Sequence, residues 1–165
     1  MILFKPAKTI NNYKTIAILA KEIWTEHYEP IIGIDQVNYM LKKFQSASAI
    51  KKQIEESQFN YFIINNHENI GYLSIKKEEE SLFLSKIYIA KANRGQGLGK
   101  ASMAFIDQQA KKMDCSKIYL TVNKYNTNSI KAYQKIGFKI VEELVMDIGN
   151  GYVMDDYKME KVLIN

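Results

Sequence analysis

Residues 87–100 decide the fold, and they read Ile87-Tyr88-Ile89-Ala90-Lys91-Ala92-Asn93-Arg94-Gly95-Gln96-Gly97-Leu98-Gly99-Lys100. An apolar strand runs into a turn with three alternating glycines, and a helix begins within them. Glycine permits positive φ and lets a ligand approach the backbone amides closely. The free N–H groups of the first helical turn point to one place, where the helix dipole also favours negative charge. With Arg94 and Lys100 at its rim, this turn predicts a phosphate or pyrophosphate site.

The spacing of the glycines separates this turn from other phosphate loops. It is neither the G-x-G-x-x-G of a dinucleotide fold nor a P-loop, because Ala101 stands where a P-loop has Ser or Thr. It fits the pattern [Q/R]-x-x-G-x-[G/A], with Arg94, Gly97 and Gly99 in the key places. In this the sequence resembles the GNAT superfamily, whose members hold the pyrophosphate of acetyl-CoA with such a turn. The alternative is a turn without a ligand, which we consider weaker because Ser or Asp would cap a helix better.

The elements on both sides of the turn predict a β-α-β unit. Strand Ser81–Ala90, a helix over Gly97–Met113 and strand Lys117–Val122 require a parallel pair with a right-handed crossover. Beyond them we predict a helix and a hairpin around Gly149-Asn150-Gly151, with the boundaries Thr127–Ile136, Phe138–Asp147 and Tyr152–Leu163.

The chain before the β-α-β unit predicts helices followed by two strands. Apolar residues recur at helical spacing from Thr9 to His27, and Pro30 is expected to stop that helix. Two short helices follow, over 37–44 and 49–57, and then strands Phe59–Asn65 and Ile70–Ile75. The fold class is therefore α+β: a mixed, mostly antiparallel central sheet of about six to seven strands with helices on both faces. The resemblance implies the GNAT fold, as a single N-acetyltransferase domain over residues 1–165.

A second motif supports the resemblance. Residues 118–138 are a strand followed by the family's N-x-x-[A/S]-x-x-x-Y-x-K-x-G-F pattern. Asn126, Ser129 and Tyr133 are three and then four residues apart, so they share one helical face. By resemblance, Asn126 binds the pantetheine arm and Tyr133 approaches the sulfur. The resemblance implies an acetyl-CoA site made of Ile87, Tyr88, Ile89, Arg94, Gly95, Gln96, Gly97, Leu98, Gly99, Lys100, Asn126, Ser129, Tyr133 and Lys135.

The chemistry implied by the family explains these residue types. A neutral amine attacks the thioester carbonyl, an oxyanion develops and the CoA thiolate leaves, so the amine needs a base or a water chain. By resemblance, a backbone N–H at Tyr88 or Ile89 stabilises the oxyanion, and the Tyr133 phenol is the catalytic acid. The alternative for Tyr133 is a core aromatic, since the chain has 11 tyrosines. No covalent intermediate is required, and Cys115 is expected to be a small buried residue.

The acceptor is less sharply indicated. The final hairpin carries Glu142, Glu143, Asp147, Asp155 and Asp156. These carboxylates favour either a cationic acceptor such as a polyamine or a solvated hairpin, and both interpretations stand. Several segments, including Ile23–Tyr28, Gln36–Leu41, Leu84–Tyr88 and Asp147–Tyr157, resemble the PaiA-like branch of bacterial GNATs, which acetylates polyamines such as spermidine. Candidate acceptor residues are Trp24, His27, Tyr28, Tyr39, Ser85, Asp155 and Asp156. Trp24 could instead pack the first helix on the sheet, and His27 is either a base or a surface residue.

Composition limits the remaining function classes. Two distant histidines and one cysteine predict no metal site, and a lone Cys115 agrees with a reducing cytoplasm. The net charge of +5 is spread over the chain without an Arg/Lys stripe, so nucleic acid is disfavoured. The sequence has no run of eighteen apolar residues, so we predict no membrane-spanning helix. We expect a small amine substrate. Alternatives are a protein or peptide N-terminal acetyltransferase and a non-catalytic CoA-binding regulator. Exposed edge strands of the last hairpin suggest a homodimer.

Overall fold

A computed structural model describes residues 1–163 of the chain and defines twelve helices and strands. In chain order these are β1 (Leu3–Pro6), α1 (Ile10–Ile32), α2 (Ile34–Phe44), α3 (Ala47–Ser57), β2 (Asn60–Asn66), β3 (Glu68–Glu78), β4 (Ser81–Ile89), α4 (Leu98–Lys112), β5 (Lys117–Asn123), α5 (Thr127–Lys135), β6 (Lys139–Gly149) and β7 (Tyr152–Val162). A short 3₁₀ helix at Lys91–Asn93 separates β4 from the glycine turn. The predicted helices and strands are present, and β1 is an additional strand that the sequence did not predict.

The strands form one mixed sheet in the order β1-β2-β3-β4-β5-β7-β6. The pairs β1–β2, β2–β3, β5–β7 and β6–β7 are antiparallel. β4 pairs in parallel with β5, through Ser81–Phe83 opposite Lys117–Tyr119. This parallel pair confirms the predicted β-α-β unit, and the seven strands confirm the mixed, mostly antiparallel sheet.

Helix α1 is longer than predicted, and the expectation that Pro30 stops it is wrong. Pro30 lies inside the helix, which continues to Ile32. Proline has no N–H to bond the carbonyl four residues earlier, but so close to the helix end only one turn is affected. Gly33 then closes the helix with φ 84°, and its N–H donates to the Glu29 carbonyl at 2.9 Å.

The start of α1 is fixed by a capping box. The Thr9 hydroxyl accepts from the Asn12 N–H at 3.2 Å, and the Asn12 side-chain oxygen accepts from the Thr9 N–H at 3.1 Å. Two of the N–H groups at the helix entrance are thereby bonded. The helix then buries one face, formed by Tyr13, Ile16, Leu19, Ala20, Ile23 and Trp24.

Loss of this cap has a measurable expected effect. Thr9→Ala should lower the free energy of unfolding by about 1 kcal/mol, because the Asn12 N–H loses its acceptor. The control is Thr15→Ala on the same helix, whose hydroxyl only back-bonds to the Asn11 carbonyl. Since alanine is the better helix former, Thr15→Ala should be neutral or slightly stabilising. Urea unfolding followed by circular dichroism compares the two, and equal losses would contradict the capping role.

The described chain falls into two compact units. The first comprises Met1–Lys76 and Ser85–Ile106, with a core that includes Ile16, Ile23, Ile50, Ile64, Leu73 and Ile106. The second comprises Lys77–Leu84 and the chain from Asp107 onward, with a core that includes Leu82, Ile118, Leu120, Phe138 and Met159. The single N-acetyltransferase domain over residues 1–165 stays a prediction. Among the described helices, none is both long enough and apolar enough to cross a membrane.

Two buried tyrosines and two glutamines join helices to strands within the first unit. The Tyr72 hydroxyl donates to the Gln45 side-chain oxygen at 2.7 Å, and the Gln45 amide donates to the Tyr61 hydroxyl at 3.0 Å. Tyr61 in turn donates to Gln53 at 2.6 Å. Burial raises the pKa of Tyr61 to about 12, so its hydroxyl keeps the proton that it donates. This network holds α3 and the end of α2 on β2 and β3.

Candidate active site

The glycine turn after β4 has the backbone that its sequence predicts. Gly95 and Gly97 have φ angles of 80° and 76°, which residues other than glycine rarely adopt. Gly99 has no positive φ, and no described atom lies within 4 Å of a Cβ built on Gly95, Gly97 or Gly99. Two glycines are therefore required by conformation, and all three leave open space beside the backbone.

Helix α4 begins directly behind this open space. Leu98 is buried and anchors the first turn, while the Ser102 hydroxyl donates to its carbonyl at 2.7 Å. Ala101 is the first residue whose N–H reaches a carbonyl of the preceding turn, that of Gly97 at 3.1 Å. The N–H groups of residues 98–100 precede it and have no such partner within the helix. Gln96, Gly99 and Lys100 are exposed. The arrangement offers amide donors and a positive helix end to an anion.

Arg94 lies at the beginning of this turn and is tied to the end of β4. Its Nε donates to the Ile89 carbonyl at 3.0 Å, and the side chain is exposed. Lys91, in the 3₁₀ helix, forms an exposed ion pair with Glu26 of α1 at 3.8 Å. Contacts of this exposed kind contribute little to stability. They show, however, that the last turns of α1 lie beside the segment that leads into the glycine turn.

An aromatic cluster occupies the same part of the first unit. The hydroxyls of Tyr28 and Tyr88 share a hydrogen bond of 3.0 Å. The Trp24 ring lies 5.7 Å from that of Tyr28 and 5.5 Å from that of Tyr88. Trp24 is buried, as the packing alternative expects, whereas Tyr28 and Tyr88 are half-buried. The structure thus brings together three of the predicted site residues, from α1 and β4.

His27 joins this cluster through Tyr28, whose ring lies 4.7 Å away in an edge-on arrangement. Burial lowers the pKa of His27, and the positive charge of Arg94 lowers it further. A histidine with a depressed pKa is neutral near pH 7 and can accept a proton. Because the unfolded chain binds that proton more readily, this group should reduce stability as the pH falls below about 6.5.

The influence of Arg94 on His27 can be tested by NMR. Arg94→Gln should raise the pKa of His27, because it removes a nearby positive charge while burial is retained. The chain has two histidines, so the Hε1 signals can be assigned with His67→Gln. Arg94→Lys is the matched control, since it keeps the charge. A His27 titration curve that does not move in Arg94→Gln would contradict the electrostatic link.

The other predicted acceptor residues of the first unit lie on α2 and β4. The Tyr39 hydroxyl accepts from Lys43 Nζ at 3.3 Å, one turn further along α2. Ser85, on β4, accepts from the neighbouring Lys86 Nζ at 2.9 Å. Both therefore have polar contacts close in sequence, and their role toward an acceptor stays a prediction.

In the second unit the predicted pantetheine and acid residues lie at α5. Asn126 is the N-cap residue and is buried, but its side chain does not cap the helix within the described structure. Ser129 and Tyr133 follow on the helix four residues apart, and Lys135 is exposed near its end. The Tyr133 ring packs edge-on against Phe138 at 5.6 Å.

The two predicted acceptor carboxylates on β7 have different surroundings. Asp155 forms an ion pair with Lys124 at 2.9 Å, and Lys124 also lies 3.8 Å from Glu143. Asp156 is 3% exposed and stands opposite Asn123 of β5 and Leu144 of β6 in the strand register. The charge of Asp155 is thus already compensated within the second unit, which weakens its case as the group that attracts a cationic acceptor.

Fold and turn together define a class of protein: an α+β fold with a glycine-rich strand–turn–helix whose free amides can accommodate an anion. Residues 19–138 match the sequence model of the Acetyltransferase (GNAT) family. Because that match covers most of the chain, the chain belongs to this family, whose members use acetyl-CoA.

Individual relatives agree with this membership. The chain is 32% identical over 84 residues to a probable spermine N(1)-acetyltransferase of Bacillus subtilis subsp. natto, which is 50% of this chain and 48% of the relative. It is also 31% identical over 84 residues to a spermine/spermidine N(1)-acetyltransferase of Bacillus subtilis, which again is 50% of this chain and 48% of the relative. The chain thus spans about half the length of the curated relatives it matches. The PaiA N-acetyltransferase of Thermoplasma acidophilum, solved in complex with coenzyme A, superposes over 99% of both chains with a TM-score of 0.81 and 20% identity, which shows the shared fold.

Sequence reasoning missed several contacts of the first unit. The hydrogen bond between the Tyr28 and Tyr88 hydroxyls joins residues that are far apart in the sequence. The hydrogen bond from Arg94 to the Ile89 carbonyl belongs to no sequence motif. Gly71, inside β3, was also overlooked. An isolated glycine between the apolar residues Ile70 and Tyr72 of a strand is a known indication of close backbone approach, and it could have been noticed.

Proposed function

We propose that the protein transfers the acetyl group of acetyl-CoA to a primary amine, a polyamine such as spermidine, by direct transfer in a ternary complex. The observation that carries this proposal is the glycine turn at the start of α4. Its amides, its two positive-φ glycines and its open space suit a pyrophosphate. When bound, acetyl-CoA supplies the thioester whose acetyl group is transferred.

The roles of the chain's residues follow from this proposal. The residues from Arg94 to Lys100 bind the pyrophosphate, and Asn126 and Ser129 bind the pantetheine arm. An N–H near the end of β4 stabilises the oxyanion, and Tyr133 protonates the thiolate. The half-buried, neutral His27 is supported as the group that receives the amine proton. Asp156, a buried carboxylate, is the second candidate for that role.

A polyamine acceptor is supported by two kinds of observation. The relatives with 31–32% identity are named spermine and spermidine acetyltransferases. The second unit also carries a buried carboxylate, Asp156, whereas the charge of Asp155 is compensated by Lys124 and adds no support. A cationic substrate is attracted by negative charge in a partly shielded place.

The experiment measures thiol release from acetyl-CoA with a panel of acceptors. Spermidine and spermine should give saturable release well above hydrolysis, and mass spectrometry should find one added acetyl group on the amine. Simple monoamines and peptides with free N-termini form the comparison arms. Turnover on peptides alone would show that the acceptor is a peptide N-terminus and not a polyamine. Binding of CoA without turnover on any amine would overturn the proposed catalysis.

The remaining partner and location predictions stay part of the proposal. The edge strand β6 exposes Val141, Val145 and Met146, which supports pairing with a second copy of the chain. Sedimentation velocity that finds a monomer at assay concentration would contradict this dimer. The single buried Cys115 is consistent with the predicted cytoplasmic location. Binding to nucleic acid is not part of the proposal.

A further inference from the structure

Gly71 in β3 lies against the backbone of β4 at residues 88 and 89. A Cβ atom built on Gly71 would overlap the Tyr88 carbonyl oxygen. It would also lie 3.0 Å from the Ile89 Cα and 3.1 Å from the Tyr88 carbonyl carbon. These atoms are backbone, so a side chain here cannot be relieved by a rotamer change. Gly71 has no positive φ, so the position needs glycine because of close approach and not because of its own conformation.

This close approach fixes the orientation of the peptide that joins Tyr88 to Ile89. In a planar trans peptide the carbonyl and the following N–H point in opposite directions. Since the Tyr88 carbonyl points at Gly71, the Ile89 N–H points away from it. The two groups beyond are also held: the Arg94 Nε donates to the Ile89 carbonyl at 3.0 Å, and the Ala90 N–H donates to the Ile70 carbonyl at 2.8 Å.

From this geometry we propose that Gly71 is a positioning residue, which sets the Tyr88–Ile89 peptide so that the Ile89 N–H is the donor to the acetyl carbonyl. This role rests on the proposed function and deepens it, because the sequence left Tyr88 and Ile89 as alternative donors. A larger residue at position 71 displaces the Tyr88 carbonyl and with it turns the Ile89 N–H. Arg94 links the same peptide segment to the pyrophosphate turn.

The kinetic test compares two substitutions on the same buried strand. Gly71→Ala should lower kcat at least about tenfold. Deletion of an oxyanion donor lowers kcat by about 100- to 1000-fold, and a misdirected donor should cause part of that loss. Its Kd for CoA, which has no acetyl carbonyl, should stay within about threefold of the unchanged chain. Ser74→Ala is the control: Ser74 is also buried in β3, but removal of its hydroxyl causes no backbone overlap. An unchanged kcat in Gly71→Ala would overturn the proposal, as would equal losses of kcat in the two variants.

An NMR measurement tests the donor directly. Tyr88-Ile89 is the only Tyr–Ile pair in the sequence. Carbonyl-¹³C tyrosine with ¹⁵N isoleucine therefore gives a single HNCO signal, from that peptide alone. In the unchanged protein this signal should differ between the complexes with acetyl-CoA and with CoA. In Gly71→Ala the chemical shift of this signal should already differ from that of the unchanged protein before any ligand is added. The difference in chemical shift between the acetyl-CoA and CoA complexes should be smaller.

The outcomes separate this inference from the proposed function. Equal signals with acetyl-CoA and CoA, when calorimetry shows that both bind, would overturn the role of the Ile89 N–H and leave the proposed function standing. That comparison uses the unchanged protein, so it decides the question even if Gly71→Ala does not fold. Failure of both compounds to bind would overturn the proposed function and this role with it.

Discussion

Tyr133→Phe is expected to lower kcat for acetyl transfer by about 100-fold, because the leaving thiolate loses its proton donor. The Tyr133 ring packs edge-on against Phe138 at 5.6 Å, and phenylalanine keeps that ring contact. The substitution therefore removes the hydroxyl with little change in packing. The Kd for acetyl-CoA should change much less than kcat, since the phenol acts on a charge that develops during the reaction.

The control for this variant is Tyr125→Phe. Tyr125 is 70% exposed and precedes α5 in the same unit, so it tests loss of a tyrosine hydroxyl as such. Initial rates of thiol release at saturating acceptor give kcat, and thermal unfolding checks that both variants fold. A kcat for Tyr133→Phe within about twofold of that of Tyr125→Phe would exclude Tyr133 as the general acid.

Gly97→Ala is expected to weaken CoA binding by about 5- to 30-fold. With φ at 76°, residue 97 has a conformation that costs an alanine about 1–2 kcal/mol. In the free protein the substituted turn can relax to negative φ, so binding must restore the strained form. That cost then appears as lost affinity, since each 1.4 kcal/mol is a factor of ten.

The matched control is Gly99→Ala, two residues further on. Gly99 has no positive φ, and a Cβ there meets no described atom within 4 Å. It tests only whether a methyl group obstructs the ligand, without backbone strain. Isothermal calorimetry with CoA should give the larger loss for Gly97→Ala. A larger loss for Gly99→Ala would show that steric access, and not the conformation of the turn, determines affinity.

Much of the fold could be predicted because its signals are local. The strand and the glycines from Ile87 to Gly99 specify a strand–turn–helix, and the β-α-β unit follows from chain geometry. The misses have equally physical reasons. β1 has four residues and ends at Pro6, too short for an alternating pattern to be recognised. Pro30 is a strong helix breaker in isolation, but near a helix end its single missing bond is tolerated.

The candidate site was less accessible from the sequence. The glycine turn could be predicted, since its amides, glycines and charges are contiguous. The lowered pKa of His27 could not, because it depends on burial and on Arg94, which lies 67 residues further along the chain. The same holds for the Tyr28–Tyr88 hydrogen bond and for the β4 residues that Gly71 approaches, although the glycine itself is a recognisable signal in the sequence. Such contacts are set by strand register and helix placement, which residue spacing does not encode.

The buried Cys115 makes the natural chain convenient for labelling chemistry. It is the only cysteine of the sequence, it is 7% exposed, and burial raises the pKa of its thiol. Such a thiol reacts slowly with disulfide and maleimide reagents, because the thiolate is the reactive form. Thiol detection in an acetyl-transfer assay therefore has little background from the enzyme itself. A cysteine introduced at the exposed Tyr125 would be a selective attachment point for a fluorophore, with no native residue to remove first.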